Sequence, residues 1–428
     1  MAYPRIVLHL DMNSYFASVE QQANPLWRGK ALGVAAGLYR GACLIATSKE
    51  AKAKGIVTGM RVVDGLTRDP ALVIVEVDPA KYRSATERIF AIMAQESEQI
   101  ETYSIDEAFL DLTGWVQSLD EAATIGWRIQ RRIHDEVAEW LTASAGVAPT
   151  RWLAKFASDT APKGQLVVLE QKHLAAYLAG RELTEAWGIA RRLECRLKAL
   201  GIHTLGELRR YPVTNLIASL GVRGYELWAN VNGIEVGTVT MQGLPKSIGH
   251  SHVLKQRTKD LGFSQRVLMK LAERTGRRLR SLDLEGHEFW LWFSTAEGGG
   301  GGGRRLSFQP IVDSRTIFRL AWTCFAPQAS GQTPSALALG LGRLRPRSRQ
   351  AALWPERRDL LHLAAALDAL NDRYGEQTVV YGAQFGLSDE HAPDRIGFRK
   401  TVSWDVPLDQ MLANGYNGSR HGPDRSPP

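Results

Sequence analysis

Cys43, Cys195 and Cys324 are the only three cysteines in 428 residues. Scattered and odd in number, they argue against a disulfide framework or a Cys-built zinc site, and for the reducing cytosol and a cytoplasmic protein. No apolar run approaches the roughly 18 residues of a membrane span, so no membrane is expected as a partner. The start, Met1-Ala-Tyr-Pro-Arg5, runs into a short apolar segment and lacks the long apolar stretch and small-residue cleavage site of a secretion signal. Negative charge is in deficit: 45 acidic residues face 53 Lys and Arg, for a net charge of +8. A basic surface suits nucleic acid or another polyanion, although many basic proteins bind neither.

Arg5-Ile-Val-Leu-His-Leu-Asp11 is apolar on both faces and ends in an acid, which predicts a buried strand. Asn13 or Ser14 can cap a short helix carrying Phe16 and Val19, ended by Asn24-Pro25. Residues 26–79 hold short apolar runs broken by glycines, a small loop-rich insertion. A helix follows from Tyr82 through Ala85, Ile89 and Ile92.

In Ile100–Thr113 the alternation changes phase. Tyr103 and Ile105 are apolar before Asp106-Glu107, whereas Ala108, Leu110 and Leu112 are apolar after it. A strand cannot keep one buried face through such a change, so a tight turn or bulge is predicted there, with both carboxylates at a hairpin tip. Further helices and strands to residue 169 complete β-α-α-ββ-α-β-α-β once the insertion is left out, a ferredoxin-like order. Residues 170–240 read as all-helical, and Gly237–Gly249 as a linker. Residues 250–347 mix strands with a basic amphipathic helix, Ser264–Leu282. The six-glycine tract Gly298–Gly303 predicts a mobile hairpin loop, because glycine in a strand or helix costs entropy.

Asp11, Asp106 and Glu107 thus end strands of one sheet. Mg²⁺ prefers hard oxygen ligands, usually one or two carboxylates plus phosphate oxygens. Two such ions about 4 Å apart can stabilise both the attacking and the leaving oxygen of a phosphoryl displacement. The main-chain carbonyl of Met12 can add a ligand. A single acid at a strand end is more often just solvated, but an adjacent acidic pair inside an apolar hairpin is harder to explain that way.

Asp11-Met-Asn-Ser-Tyr-Phe-Ala-Ser-Val-Glu20 and Tyr103-Ser-Ile-Asp-Glu-Ala-Phe-Leu-Asp-Leu-Thr-Gly114 resemble the two catalytic motifs of Y-family DNA polymerases. Leu153-Ala-Lys155, Trp187-Gly-Ile, Leu200-Gly-Ile and Ser247-Ile-Gly-His-Ser follow in the family's order, so the resemblance runs from about residue 5 to 345. It implies an α+β multidomain right-hand polymerase: a ferredoxin-like palm (1–15 and 80–165), small fingers (16–79), a helical thumb with a helix–hairpin–helix (166–240), a linker (241–249) and an α/β little finger (246–347). A tail (348–428) follows. The implied activity is template-directed, low-fidelity DNA synthesis in translesion bypass, with two Mg²⁺ as cofactors and Mn²⁺ able to substitute. Primer-template DNA and dNTPs are the implied partners.

The resemblance makes Asp11, Asp106 and Glu107 catalytic metal ligands, with Met12 beside them, and Phe16 the aromatic gate against a ribose 2′-hydroxyl. Phe16 would otherwise be an ordinary core aromatic. Tyr15 is expected in the nucleotide pocket. The triphosphate positions depart from the family: Lys49 and Lys52 stand where Tyr and Arg are common, and Lys163 lies in a stretch one residue shorter than usual. Lysine neutralises phosphate as a point charge, without arginine's bidentate fork.

The turn at Gly188 would present backbone N–H groups to a DNA phosphate. Arg266, Lys270 and Arg274 recur at helical spacing, a basic face for backbone tracking or merely a solvated one. Arg343, Arg345, Arg347 and Arg349 alternate, and on an extended chain would share one side. Gln350, Leu353 and Trp354 resemble the short peptide with which such polymerases dock on a sliding clamp; accessory mutagenesis subunits are further candidate partners. Two rival readings share these features. A nucleotidyl cyclase can use the same paired carboxylates but needs no DNA-gripping helices. A polymerase-like scaffold would bind DNA and clamp without catalysis.

Overall fold

The computed structural model describes residues 5–39, 41–240, 243–254, 257–348, 355–375 and 378–387. The chain divides into two compact units that part at Gly243.

In the first unit, the apolar run after Arg5 forms β1 (Val7–Met12), buried along its length except at Asp11. Ser14, at φ +50°, turns the chain directly into α1 (Tyr15–Ala23). The segment expected to be loop-rich instead builds β2 (Leu32–Ala35), β3 (Leu44–Thr47), α2 (Lys49–Ala53), α3 (Val62–Arg68) and β4 (Val73–Glu76). Its strands pair in the order β3-β2-β4. Four-residue strands are too short for their periodicity to show in sequence, but Ala35, Leu44, Ala51, Ile56 and Leu72 still close a small core.

The chain continues through α4 (Pro79–Ala94), β5 (Ile100–Thr102), β6 (Glu107–Asp111), α5 (Leu119–Arg132), β7 (Ala143–Ala148), α6 (Arg151–Thr160) and β8 (Leu166–Val168). Side chains of Asp78, Ser118 and Thr150 cap α4, α5 and α6. The sheet order is β5-β6-β1-β7-β8, antiparallel except where β7 meets β8. Gly146 lets α6 close on β7, since a Cβ there would lie 2.1 Å from the Ala154 carbonyl oxygen. Helices α7 (Leu174–Leu178), α8 (Arg191–Lys198), α9 (Leu205–Arg210), α10 (Val213–Leu220) and α11 (Val222–Val231) follow. Their leucines share one core with Phe109, Trp152 and Phe156.

The second unit comprises β9 (Ser247–Val253), α12 (Leu261–Ser281), β10 (Leu284–Thr295), β11 (Gly300–Ile311), α13 (Ser314–Ala329), β12 (Pro334–Gly342), β13 (Arg345–Pro346) and α14 (Pro355–Tyr374). The main sheet runs β11-β10-β12-β9. Three expectations need correction here. Residues 247–249 are strand rather than linker, because Ser247, Ile248 and Gly249 pair with Gly342, Leu341 and Gly340. Gly298 and Gly299 lie in the expected hairpin turn, but the rest of the tract is not loop: Gly300–Gly303 are rungs of β11 opposite Ser294–Leu291. Helix α13 sits so close that Gln328 bonds the Gly302 amide and carbonyl; that contact offsets the entropic cost. The four arginines do not share one extended edge, because Arg343 turns at φ +49°, and Arg349 lies outside the described residues.

The basic face expected on α12 is also narrower than its spacing suggests. Lys270 is 2% exposed, so its ammonium is not presented to a phosphate backbone. Arg280 forms a two-pronged pair with Asp368 of α14, at 2.6 and 2.8 Å, and Arg277 pairs with Asp372. Gln384 bonds Glu273 at 2.7 Å. Helix α12 is therefore covered from the C-terminal side as well as by the sheet, which one-face periodicity cannot reveal. Arg266 and Arg274 remain half-buried. Gln350, Leu353 and Trp354, and the tail beyond residue 387, lie outside the described residues.

Candidate active site

Strand pairing creates the site. Asp11 stands directly across from Glu107 in the β1–β6 register, and the Met12 amide bonds the Asp106 carbonyl at 2.9 Å. The phase change in the acidic segment is a turn: the Tyr103 and Ser104 amides both reach the Glu107 carbonyl, at 3.0 and 3.1 Å. Asp106 lies in that turn and Glu107 opens β6. The Ser104 hydroxyl bonds the Asp106 carboxylate.

A cavity of about 230 Å³ opens here, lined by Asp11, Met12, Asn13, Ser14, Tyr15, Phe16, Ile45, Ala46, Thr47, Lys52, Thr58, Asp106 and Lys163. Its lining combines two carboxylates, Asp11 and Asp106, with two lysines, Lys52 and Lys163. The Phe16 ring forms part of the wall and stacks on Tyr82. Lys52 donates to the Ser14 hydroxyl at 2.8 Å. Burial and the neighbouring Lys163 charge lower the Lys52 pKa.

Three expected residues stand differently. The Tyr15 phenol turns into the core, donating to the Tyr82 carbonyl at 2.9 Å and meeting the Thr86 hydroxyl at 2.7 Å. Only its remaining surface borders the cavity. Lys49 does not line the cavity; its ammonium lies 5.0 Å from the centre of the Trp140 ring. Glu107, 6% exposed, is also off the wall. Its carboxylate is held by Lys155 Nζ at 2.5 Å, and His9 Nε2 lies 3.4 Å away. Gly188, at φ +92°, forms the expected turn, and Arg223 donates to its carbonyl at 3.2 Å.

Lys155 and His9 were missed as site residues. Each is a polar side chain inside an apolar stretch, a signal that sequence also gives for satisfied core residues. His9 is fully buried; its Nδ1 pairs with the Ser158 hydroxyl at 2.6 Å. Burial lowers its pKa to about 4, leaving it neutral near pH 7. Burial opposes the Glu107 charge, but His9 and Lys155 outweigh it and hold the carboxyl at about 2. Asp11 moves the other way: burial, with the Asp106 and Glu107 charges, pushes it to about 8. Burial and Glu107 likewise raise Asp106, against the Ser104 hydrogen bond.

Asp11 and Asp106 are therefore crowded carboxyls that hold their protons for want of a counter-charge, and carboxylate oxygens are the donors Mg²⁺ prefers. Among the described residues, no three His, Cys, Asp or Glu side chains already converge as a metal-ligand group. The donors fit a divalent ion whose shell is completed by phosphate and main-chain oxygens; Glu107 would have to leave Lys155 to join them.

The pattern of the impB/mucB/samB family matches residues 10–159, and that of the impB/mucB/samB family C-terminal domain matches residues 245–353. The chain is 30% identical to DNA polymerase IV of Pelotomaculum thermopropionicum, covering 87% of this chain and 94% of that protein. It is 30% identical to DNA polymerase IV of Oceanobacillus iheyensis, over 92% and 96%. With DNA polymerase IV of Stenotrophomonas maltophilia the identity is 32%, over 68% and 81%. A solved Y-family DNA polymerase chimera shares the fold at a TM-score of 0.70 and 22% identity, over 79% of this chain and 98% of that one. The chain belongs to the Y family of DNA polymerases.

Proposed function

We propose that the chain extends a primer on a DNA template, adding deoxynucleotides with low fidelity and tolerating damaged template bases. The single observation that carries this reading is the shared cavity, whose lining combines the carboxylates of Asp11 and Asp106 with the ammonium groups of Lys52 and Lys163 and the aromatic Phe16.

Asp11 and Asp106, joined by Glu107, would hold two Mg²⁺ ions, which supply the charge that activates the primer hydroxyl and stabilises the leaving pyrophosphate; Mn²⁺ would substitute. Lys52 and Lys163 hold the triphosphate by charge and so align its α-phosphate with the acids. Phe16 presents a flat ring where a ribose 2′-hydroxyl would project. Ala46, Thr47 and Thr58, also in the lining, are small. They leave space around the incoming base, which favours tolerance over geometric checking.

DNA contact through the Gly188 turn, Arg266 and Arg274 belongs to the same proposal, as does clamp docking through Gln350, Leu353 and Trp354 with any accessory subunits. The domain boundaries stated from sequence belong to it too. Primer extension with Mg²⁺ and single dNTPs tests the reading. Extension should require template and vanish in Asp106→Ala while DNA binding persists. A protein that never extends a primer would favour the scaffold, and cyclic product formed without DNA would favour the cyclase.

A further inference from the structure

Lys155 is a buried charge beside the proposed metal ligands that this chemistry does not use. It lies on α6 and is 5% exposed. Its ammonium sits between two carboxylates, 2.5 Å from Glu107 and 3.0 Å from Asp159. Gly146 holds the α6 backbone tight on β7, so the lysine Cα is fixed. The four-carbon stem above it has rotatable bonds about which the ammonium can be redirected.

We propose that Lys155 is a positioning residue that stands in for a divalent cation: its ammonium holds Glu107 back from the cavity and yields that carboxylate when a metal ion binds Asp11 and Asp106. The inference deepens the polymerase reading and rests on it.

Three observations converge. Glu107 is the cross-strand neighbour of Asp11 yet contributes nothing to the cavity wall. The group that keeps it away is a cation, whose charge a metal ion would replace. Asp159 offers the released ammonium a second partner one helical turn along, with its side chain 26% exposed. Lys155 can therefore let go of Glu107 without becoming an unpaired buried charge, which would be strongly destabilising. The exchange keeps the acids compensated before and after metal entry.

The test is Mn²⁺ affinity of the full chain without DNA or nucleotide, followed by electron paramagnetic resonance and by thermal shift. Lys155→Met and Lys155→Gln remove the competing charge and should tighten Mn²⁺ binding about tenfold, given the strength of charge pairs a few ångströms apart near a protein surface. Both should gain more thermal stability from Mn²⁺ than the unmodified chain does. Lys155→Arg keeps the charge and should not tighten binding. Lys155→Gln retains a donor toward Glu107 and decides the matter if Lys155→Met does not fold. Unchanged or weaker affinity in the neutral variants, or failure of both to fold even in Mn²⁺, overturns the inference and makes Lys155 purely structural. Asp11→Asn separates the two levels. Mn²⁺ binding that depends on Asp11 but not on Lys155 sinks this inference alone. No Asp11-dependent binding in the unmodified chain sinks the polymerase reading with it.

Discussion

The ring of Phe16 lies face to face with that of Tyr82, centroids 4.3 Å apart and planes 10° from parallel. Tyr82 is itself fixed, with its hydroxyl 2.8 Å from the Glu20 carboxylate. The Phe16 ring is thus braced by a hydrogen-bonded neighbour, as the gate proposed for it requires. Phe16→Ala should raise ribonucleotide relative to deoxynucleotide incorporation on the order of 100-fold, the scale on which a pocket wall discriminates small groups. Single-nucleotide extension with paired ribo- and deoxynucleotides measures the ratio, and an unchanged ratio would remove Phe16 from the gate role.

Asp11 gives the metal-free protein a pH dependence of definite sign. Its carboxyl is held at about 8 by burial and by the Asp106 and Glu107 charges, against an ordinary value of 3.8. The folded chain binds that proton more tightly than the unfolded chain, so this contribution to stability falls as pH rises between the two values. In a chelating buffer, the unmodified protein should lose melting temperature through that window faster than Asp11→Asn. Added Mg²⁺ should narrow the gap at the alkaline end, because only the unmodified site gains a counter-ion. Thermal denaturation across the window, with and without Mg²⁺, checks both statements.

The three lysines expected at the triphosphate should separate in kinetics. Lys52→Ala and Lys163→Ala each remove a cation from the cavity wall and should raise KM for dNTP about tenfold, as befits the loss of a charge-assisted contact. Lys49→Ala should leave KM nearly unchanged, since Lys49 is 75% exposed and rests against Trp140. Steady-state incorporation on one primer-template distinguishes them; equal effects of all three would mean that α2 moves on nucleotide binding.

Arg151 joins the catalytic sheet to the helices that follow it. Its guanidinium lies 4.1, 5.2 and 5.6 Å from the ring centres of Phe109, Tyr103 and Trp187, and its Nε donates to Glu101 at 2.9 Å. Arg151→Ala should destabilise the first unit by about 3 kcal/mol, the scale for stripping one partner from a largely buried pair. Arg151→Lys should recover little, because lysine lacks the planar fork. Urea unfolding provides the comparison.

The sequence made the catalytic sheet legible where the pattern was long or broken in an informative way. The phase change at Asp106-Glu107 located a turn because strand periodicity is strict. The insertion's sheet stayed hidden in four-residue strands. The Lys155–Glu107 pair stayed hidden because it joins two segments 48 positions apart, and nothing local in a lysine's surroundings says which carboxylate it will meet. Lys270 misled for a related reason: its helix is covered on a second side by residues 88 to 111 positions away from those they meet.

The glycine tract illustrates tertiary contact overriding local preference, and it makes a graded prediction. A Cβ on Gly303 would lie 2.6 Å from Cys324 Sγ, and one on Gly301 would lie 2.6 Å from Gln328 Oε1 and 2.8 Å from the Phe293 ring. At Gly299 the nearest atom is Thr295 Oγ1, at 3.3 Å. Gly303→Val and Gly301→Val overpack the α13 contact and should cost about 1–3 kcal/mol each. Gly299→Ala should be close to neutral, whereas Gly298→Ala is strained by φ +86° and should cost about 1 kcal/mol. A mobile loop would tolerate all four substitutions alike. Chemical denaturation of the four variants therefore discriminates strand from loop: equal, near-zero changes would mean that Gly300–Gly303 do not pair with β10 in solution, and the graded order would mean that α13 holds the strand in place.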